Sequence, residues 1–287
     1  MAVTDTYGLY NEHMDIDGSS GDSDYGCNIK RNGSLGSYTY SVADDWANRP
    51  VNNVSWADAA RFANWLHNGQ PTGSQDMSTT ENGTYNLSAT QQYYGPNGET
   101  PDPTSPEWEA LVEALQSVAR NTNCKWAITS EDEFYKAAYH KNNGVTGDYF
   151  EYPTSSDTAP SIALIDPDPG NNATFKIDSS NEYTIGEPYW RTEVGAHENS
   201  YSPYGTFDQA GNLREWNESI LSITFRGIRG GTFDDEYPSL HASSRNGRNP
   251  TYEFYDIGFR VSQVPEPTSI SLLVLGGFGL LKKRRKA

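Results

Sequence analysis

A chain of 287 residues with 35% hydrophobic and 13% aromatic content is long enough for one large domain or two small ones with a real core. Net charge is −17, and because the basic run 282–286 carries +5, the rest carries −22; this argues against nucleic acid as a partner and suits a soluble, cation-associating surface. Nineteen Tyr and seven Trp point to half-buried, hydrogen-bonding aromatics rather than an aliphatic interior, and two cysteines, Cys27 and Cys124, exclude a disulfide framework. The pair leaves two readings open: one bridge in an oxidising compartment, or two unrelated thiols.

The stretch Met1 to Gly8 has neither the basic start nor the apolar run of an export signal. Residues 11 to 45 are rich in Gly, Ser, Asp and Asn and read as loop with short strands such as Ser37 to Val42. The acidic stretch from Asp15 to Asp24 does not fit an EF-hand calcium loop. A first helix follows Pro50 to Val54, with Ser55 as N-cap and Asp58 in the capping-box place. Ala59, Phe62, Ala63 and Leu66 give it one apolar face, and Gly69 and Pro71 end it. Next comes a stretch poor in aliphatics and crowded with Ser, Thr, Gly, Asn and Pro, read as a long polar surface insertion over 74–106.

A second helix starts at Pro106 behind Ser105, with Trp108, Leu111, Val112, Leu115 and Val118 as its stripe. A third starts at the capping box Ser130-Glu131-Asp132-Glu133, turns Phe134, Ala137 and Ala138 inward, and is closed by Gly144. From Tyr149 to Val261 the chain reads as loops and short strands without repeats, so the fold class is an irregular α+β domain.

Five segments then occur in order: Pro50-Val51-Asn52-Asn53-Val54-Ser55-Trp56 through Leu66, Thr129-Ser130-Glu131-Asp132-Glu133-Phe134 through Ala138, Gly211-Asn212-Leu213-Arg214-Glu215-Trp216, Arg229-Gly230-Gly231-Thr232-Phe233, and Ile257-Gly258-Phe259-Arg260-Val261. Together they resemble the formylglycine-generating (sulfatase-modifying factor) domain, which implies a C-type-lectin-like architecture over residues 1–263. The start near Thr4 to Gly8 resembles the middle of that family's N-terminal region, so the expectation is a chain that begins late, with its first helix and signal peptide missing. Physically, Gly211 permits a positive-φ turn, Gly230 and Gly231 allow close backbone approach, and strand alternation turns Arg260 away from Phe259 and Val261, where a structural ion pair is expected.

The family's oxidase chemistry uses a late cysteine pair that binds copper, because soft thiolates hold Cu(I). The interval Thr232 to Asp256 contains no cysteine; Asp234, Asp235, Glu236, Tyr237, Pro238 and Ser239 stand there instead. Formylglycine generation is therefore rejected, and no catalytic residue is assigned. His13, His67, His140, His197 and His241 fall at no ligand spacing and read as scattered surface residues. What the resemblance implies as cofactor is structural calcium, with side-chain oxygens from Asp208 and Glu215 and carbonyls from Gly211 and Leu213. The Asp- and Asn-rich run Asp166 to Asn172 is a further candidate segment.

The C-terminus reads Val264-Pro265-Glu266-Pro267, an apolar helix over 269–281 and the basic run 282–286. At 13 residues that helix spans about 20 Å against a bilayer core of roughly 30 Å, which suits a transient stop more than a stable anchor. The order resembles a PEP-CTERM sorting signal over 264–287. It implies an exosortase-type processing enzyme as partner, contact with the membrane through the C-terminal helix, and delivery to the cell envelope, outer surface or extracellular space.

Three functions compete. One is an exported, non-catalytic binding or structural module for extracellular polysaccharide, with Tyr189, Trp190, Tyr201 and Tyr204, and also Tyr149, Tyr152 and Tyr252, as stacking residues. The alternative is a non-haem iron or copper oxidoreductase of the same superfamily. The third is a truncated remnant that exposes core surface.

Overall fold

The computed structural model describes residues 3–17, 25–177 and 180–265. Helix α1 (Trp56–His67) starts where the sequence places it: Ser55 Oγ accepts from Asp58 N at 3.1 Å, and Asp58 accepts from Ser55 N at 2.9 Å. Its buried face differs from the expected stripe. Trp56, Ala59, Ala60 and Ala63 are inside as apolar residues, but so are Arg61 and Asn64, while Phe62 is exposed and Leu66 only half-buried. The cause is Arg61, held between the rings of Tyr7 and Tyr94 at 4.6 Å from each and bonded through Nε to Glu81 at 2.9 Å.

That pairing also corrects the reading of 74–106 as a surface insertion. The segment has little regular structure, yet Glu81, Tyr85 and Leu87 are fully buried. A polar loop enters a core when its groups find partners. Asn64 supplies several: it donates to Thr80 O at 2.7 Å and Tyr85 O at 2.8 Å, and accepts from Tyr85 N at 2.7 Å.

Helix α2 (Pro106–Ser117) is capped by Ser105 and buries Leu111, Val112, Leu115 and Gln116. Helix α3 (Glu131–Tyr139) has its capping box at Ser130 and Glu133 and ends at cap His140, before Gly144. The strands are β1 (Ile29–Asn32), β2 (Thr39–Val42), β3 (Trp126–Ile128), β4 (Lys176–Ile177), β5 (Glu182–Tyr183), β6 (Arg214–Ile220), β7 (Arg226–Arg229), β8 (Asn246–Arg248), β9 (Ile257–Phe259) and β10 (Val261–Gln263). The central sheet runs β8-β7-β6-β9, with β6 antiparallel to β7 and parallel to β9. Three two-stranded antiparallel pairs, β1-β2, β3-β10 and β4-β5, surround it. This is an irregular α+β fold.

The main core packs Trp56, Tyr85, Leu111, Ile128, Trp216 and Ile228 together. Trp216 Nε1 donates to Val54 O at 2.9 Å, which fastens β6 to the entry of α1. Arg226 lies 3.5 Å from the Trp56 ring and donates to Leu115 O, Val118 O and Glu218 O at 2.6, 2.7 and 3.0 Å. Among the described residues no helix is long and apolar enough to cross a membrane; the expected helix 269–281 lies outside them.

Replacing Arg61 with Met strands Glu81 in the interior without a counter-charge. Urea unfolding followed by circular dichroism is expected to show a loss of about 3–5 kcal/mol, largely recovered when Glu81→Gln is added. Equal stability of R61M and the parent chain would refute this role for the pair.

Candidate metal and ligand sites

The turn at Gly211 leads directly into β6. Gly211 has φ +72°, and a Cβ there would stand 2.0 Å from Thr174 O, so only glycine fits. Asn212 N donates to Thr174 O at 2.8 Å, and Asn212 O accepts from Phe233 N at 3.1 Å, which locks the turn between two loops. Asp208, Asn212, Leu213, Glu215 and Arg260 line one cavity of about 250 Å³. Asp208 accepts from Gly195 N at 2.7 Å, and burial pushes its carboxyl up from the ordinary range. Both oxygens of Glu215 accept from Arg260, whose Nη2 also reaches Phe207 O at 3.1 Å. Arg260, the residue between β9 and β10, thus makes the structural ion pair expected of it.

Of the four donors expected for a cation, Glu215 already has a counter-charge. Both Glu215 oxygens accept from the Arg260 guanidinium, while Gly211 N donates to Gly230 O at 2.8 Å, a bond that does not involve the Gly211 carbonyl. Asn212 Oδ1, which the sequence reading omitted, is buried without a hydrogen-bond partner in the same cavity lining as Asp208. A buried orphan acceptor beside a carboxylate fits a hard cation. Among the described residues no three His, Cys, Asp or Glu side chains gather as a metal-binding group.

The interval between Gly231 and Gly258 holds carboxylates tied into ion pairs. Asp234 accepts from Lys176 Nζ at 3.0 Å, Tyr183 OH at 3.0 Å and Tyr255 OH at 3.2 Å. Asp235 accepts twice from Arg214 Nη2, at 2.6 and 2.8 Å, and from Thr232 N at 3.0 Å; Arg214 also bonds Asp256. Cys27 and Cys124 are separate free thiols, both buried, and burial pushes both thiols up, away from the reactive thiolate.

The histidines are not all on the surface. His197 is buried beside Thr174 Oγ1 at 3.1 Å, and burial pushes its imidazole down, toward the neutral form. In the Asp166 to Asn172 run, Asp168 is the anchor. It accepts from Gly170 N, Asn172 Nδ2, Asn199 N and Ser200 Oγ at 2.9, 2.6, 3.0 and 2.7 Å. Burial opposes its charge, but these bonds, Ser200 foremost, hold it below the usual carboxylate range.

Most of the stacking candidates meet separate neighbours. Tyr189 leans on Trp46 beneath Arg49 and donates to Asp45 at 2.8 Å. Trp190 sits edge-on to Tyr25 and Tyr183 with φ +59°, a left-handed conformation rare for a bulky residue. Tyr201 packs against Phe207, and Tyr252 stacks on Phe254. Tyr152 is buried and is a core residue. Two of the candidates do join in a continuous row: Tyr135 to Tyr149 at 5.0 Å, Tyr149 to His140 at 5.2 Å and His140 to Tyr204 at 5.9 Å. Tyr149 and Tyr204 are 37% and 39% exposed, so this row offers ring faces to solvent.

A third cluster was invisible in the sequence. Asp58, at the start of α1, faces Glu253 across a shared hydrogen bond, and Asn11 Nδ2 also donates to Glu253. Burial, with the Asp58 charge next, pushes Glu253 up to about 8; burial pushes Asp58 up to about 6. Asp5, Arg31 and Arg61 lie around them, with Arg31 on Asp5 at 3.1 Å. The folded chain therefore binds more protons than the unfolded one between the ordinary carboxyl range and about pH 8. Stability falls as pH rises through that window. Thermal unfolding at pH 5 and pH 8 is expected to show the higher midpoint at pH 5, with the difference reduced in Glu253→Gln; an unchanged difference would assign the effect to other groups.

The chain matches the sulfatase-modifying factor enzyme 1-like domain (FGE-sulfatase) over residues 1–264. No curated protein matches it. Similar solved structures include CarF (19% identity, 83% of this chain and 75% of that chain, TM-score 0.47). Another is Treponema denticola variable protein 1 (19% identity, 91% and 82%, TM-score 0.47). A third is PvdO from Pseudomonas aeruginosa (16% identity, 82% and 68%, TM-score 0.41).

Proposed function

Because the chain belongs to the sulfatase-modifying factor enzyme 1-like domain family, we propose that it is a non-catalytic member of it, exported to bind or organise extracellular polysaccharide. The observation that carries this reading is the state of Asp234 and Asp235. They stand in the interval where the family resemblance places a thiol pair, and both are consumed by cations and tyrosines that fix the local loops. Carboxylates are hard ligands and do not replace thiolates on Cu(I). The exposed row Tyr149, His140, Tyr204 supports glycan binding, since half-exposed rings offer apolar faces for sugar rings.

Export rests on the order Val264-Pro265-Glu266-Pro267, apolar run and basic run. Val264 and Pro265 follow β10, with Val264 N on Lys125 O at 2.8 Å; Glu266 onward lies outside the described residues. In this reading an exosortase-type enzyme recognises the segment 264–287 after the basic run stops at the membrane. Structural calcium belongs to the same proposal, held by Asp208 and Asn212. Hard oxygen donors of this kind would fix the Gly211 turn without taking part in chemistry.

The test is a pull-down of the cell's matrix polysaccharide by the purified chain, together with an aldehyde assay on a cysteine-bearing sulfatase peptide. Retained polysaccharide and no aldehyde are expected; aldehyde formation would overturn the proposal. For calcium, a saturating concentration is expected to raise the thermal midpoint, by roughly 2.7 kcal/mol of stability at a hundredfold excess over Kd. Asp208→Ala should remove that rise. No shift in the parent chain would eliminate calcium from the reading.

A further inference from the structure

The tip of the β6-β7 hairpin turns its apolar side chains outward. Ile220, Leu221, Ile223 and Phe225 are 57%, 37%, 88% and 46% exposed, and Ile223 is the most exposed large apolar side chain among the described residues. Between Glu218 and Arg226 the sequence Ser219-Ile220-Leu221-Ser222-Ile223-Thr224-Phe225 carries no charge. Single apolar residues on a surface need no explanation, but neighbours on one turn form a patch that does.

The turn closes on itself. Leu221 N and Ser222 N donate to Phe225 O at 2.9 and 3.4 Å, and Ser222 Oγ accepts from Thr224 N and Phe225 N at 3.2 and 3.1 Å. Polar groups that find partners inside the turn can leave water at little cost, which is the condition for entering lipid. The base of the hairpin is fixed. Arg226 holds the carbonyls of Leu115, Val118 and Glu218, so the tip is carried by α2 and β6 together. Leu221 and Phe225 lie against Gly247 of β8, where an added Cβ would stand 2.9 Å from Leu221 Cδ1 and 3.2 Å from Phe225 Cβ. A side chain at 247 would therefore displace the tip.

The surroundings select the occupant. Trp108 of α2 is half-buried and lines the same groove as Ile223, and an indole beside an apolar tip suits the headgroup level of a bilayer. Glu109 and Glu113 line that groove too and are exposed, so they oppose an anionic surface and leave a zwitterionic one. A turn tip with four apolar side chains falls short of the roughly 20–30 residues a side of a standard protein interface. The sequence also holds a second lipid-suited stretch, the apolar run 269–281, which is shorter than the roughly 20 residues a spanning helix needs. A weak apolar anchor holds stably only when a second contact adds to it.

We propose that the β6-β7 tip is a membrane contact. Ile223 leads, with Leu221 and Phe225 beside it, into the boundary between headgroups and acyl chains of a zwitterionic bilayer, and Trp108 stays at headgroup level. The inference goes beyond the polysaccharide reading and does not rest on it.

The test mixes the full chain with vesicles of phosphatidylcholine and phosphatidylethanolamine. Binding is read by co-sedimentation, and depth by fluorescence quenching with lipids brominated along the acyl chain. Ile223→Trp keeps an apolar tip and places a reporter on it; the fluorescence it adds to that of the parent chain is expected to be quenched. Ile223→Asp should weaken co-sedimentation about tenfold or more, the effect of withdrawing one large aliphatic side chain from lipid. Its thermal midpoint should match the parent's, because the side chain is at the surface. Vesicle binding with an unquenched reporter would show that the C-terminal run alone holds the chain and would overturn the proposal. Equal binding of I223D and the parent, or no binding of the parent, would overturn it too. Sedimentation velocity without lipid covers the other occupant: a parent dimer that I223D splits would assign the tip to a second copy of the chain instead.

Discussion

A chain with so little regular structure must satisfy the backbone groups of its loops by other means, and here buried guanidinium groups do it. Arg226 gathers three carbonyls, from α2, the loop after it and β6. Arg229 links β7 to Glu131 at the start of α3 at 2.8 Å and to Ala242 O at 2.9 Å. Arg120 joins Glu218 of β6, Glu133 of α3 and Ile128 O of β3 at 2.7 to 2.9 Å. A planar fork with five donors suits this task, because it can hold several acceptors from segments distant in sequence at fixed angles. Each such residue carries a desolvation cost, so the arrangement specifies geometry more than it adds stability.

The same device ties down the carboxylates that follow Gly231. Arg214 sits at the first position of β6 and takes up Asp235 and Asp256, while Lys176 and two tyrosines take up Asp234. Carboxylates paired with cations in this way hold the loop after Gly231 in place. The Tyr149 to Tyr204 row stays at the surface, positioned by Tyr135 of α3 and by its cap His140.

Acidic groups are treated differently across the molecule. Asp168 is ionised and wrapped in four hydrogen bonds, which closes a long loop on the segment 197–200. Glu253 lies against Asp58 instead of a cation, and burial favours its protonated form. The contrast follows from partners: donors stabilise a charge, a second carboxyl opposes it.

Sequence alone determined the features that depend on near neighbours. The three helix starts were legible because a Ser cap and an acidic or Pro residue within three positions act locally. The Gly211 turn was legible because a positive φ admits few residues, and an ion pair was expected at Arg260 because a charge between Phe259 and Val261 needs a partner. Tertiary structure decided the rest. It alone placed Arg61 inside, drew the polar loop 74–106 into the core, buried His197, and gave Glu215 to Arg260 while leaving Asn212 Oδ1 unpaired. The physical reason is that the free energy of a buried polar group depends on its partner, and these partners lie 20 to 45 residues away or more, as for Arg61 with Glu81 and Glu215 with Arg260, beyond any local pattern.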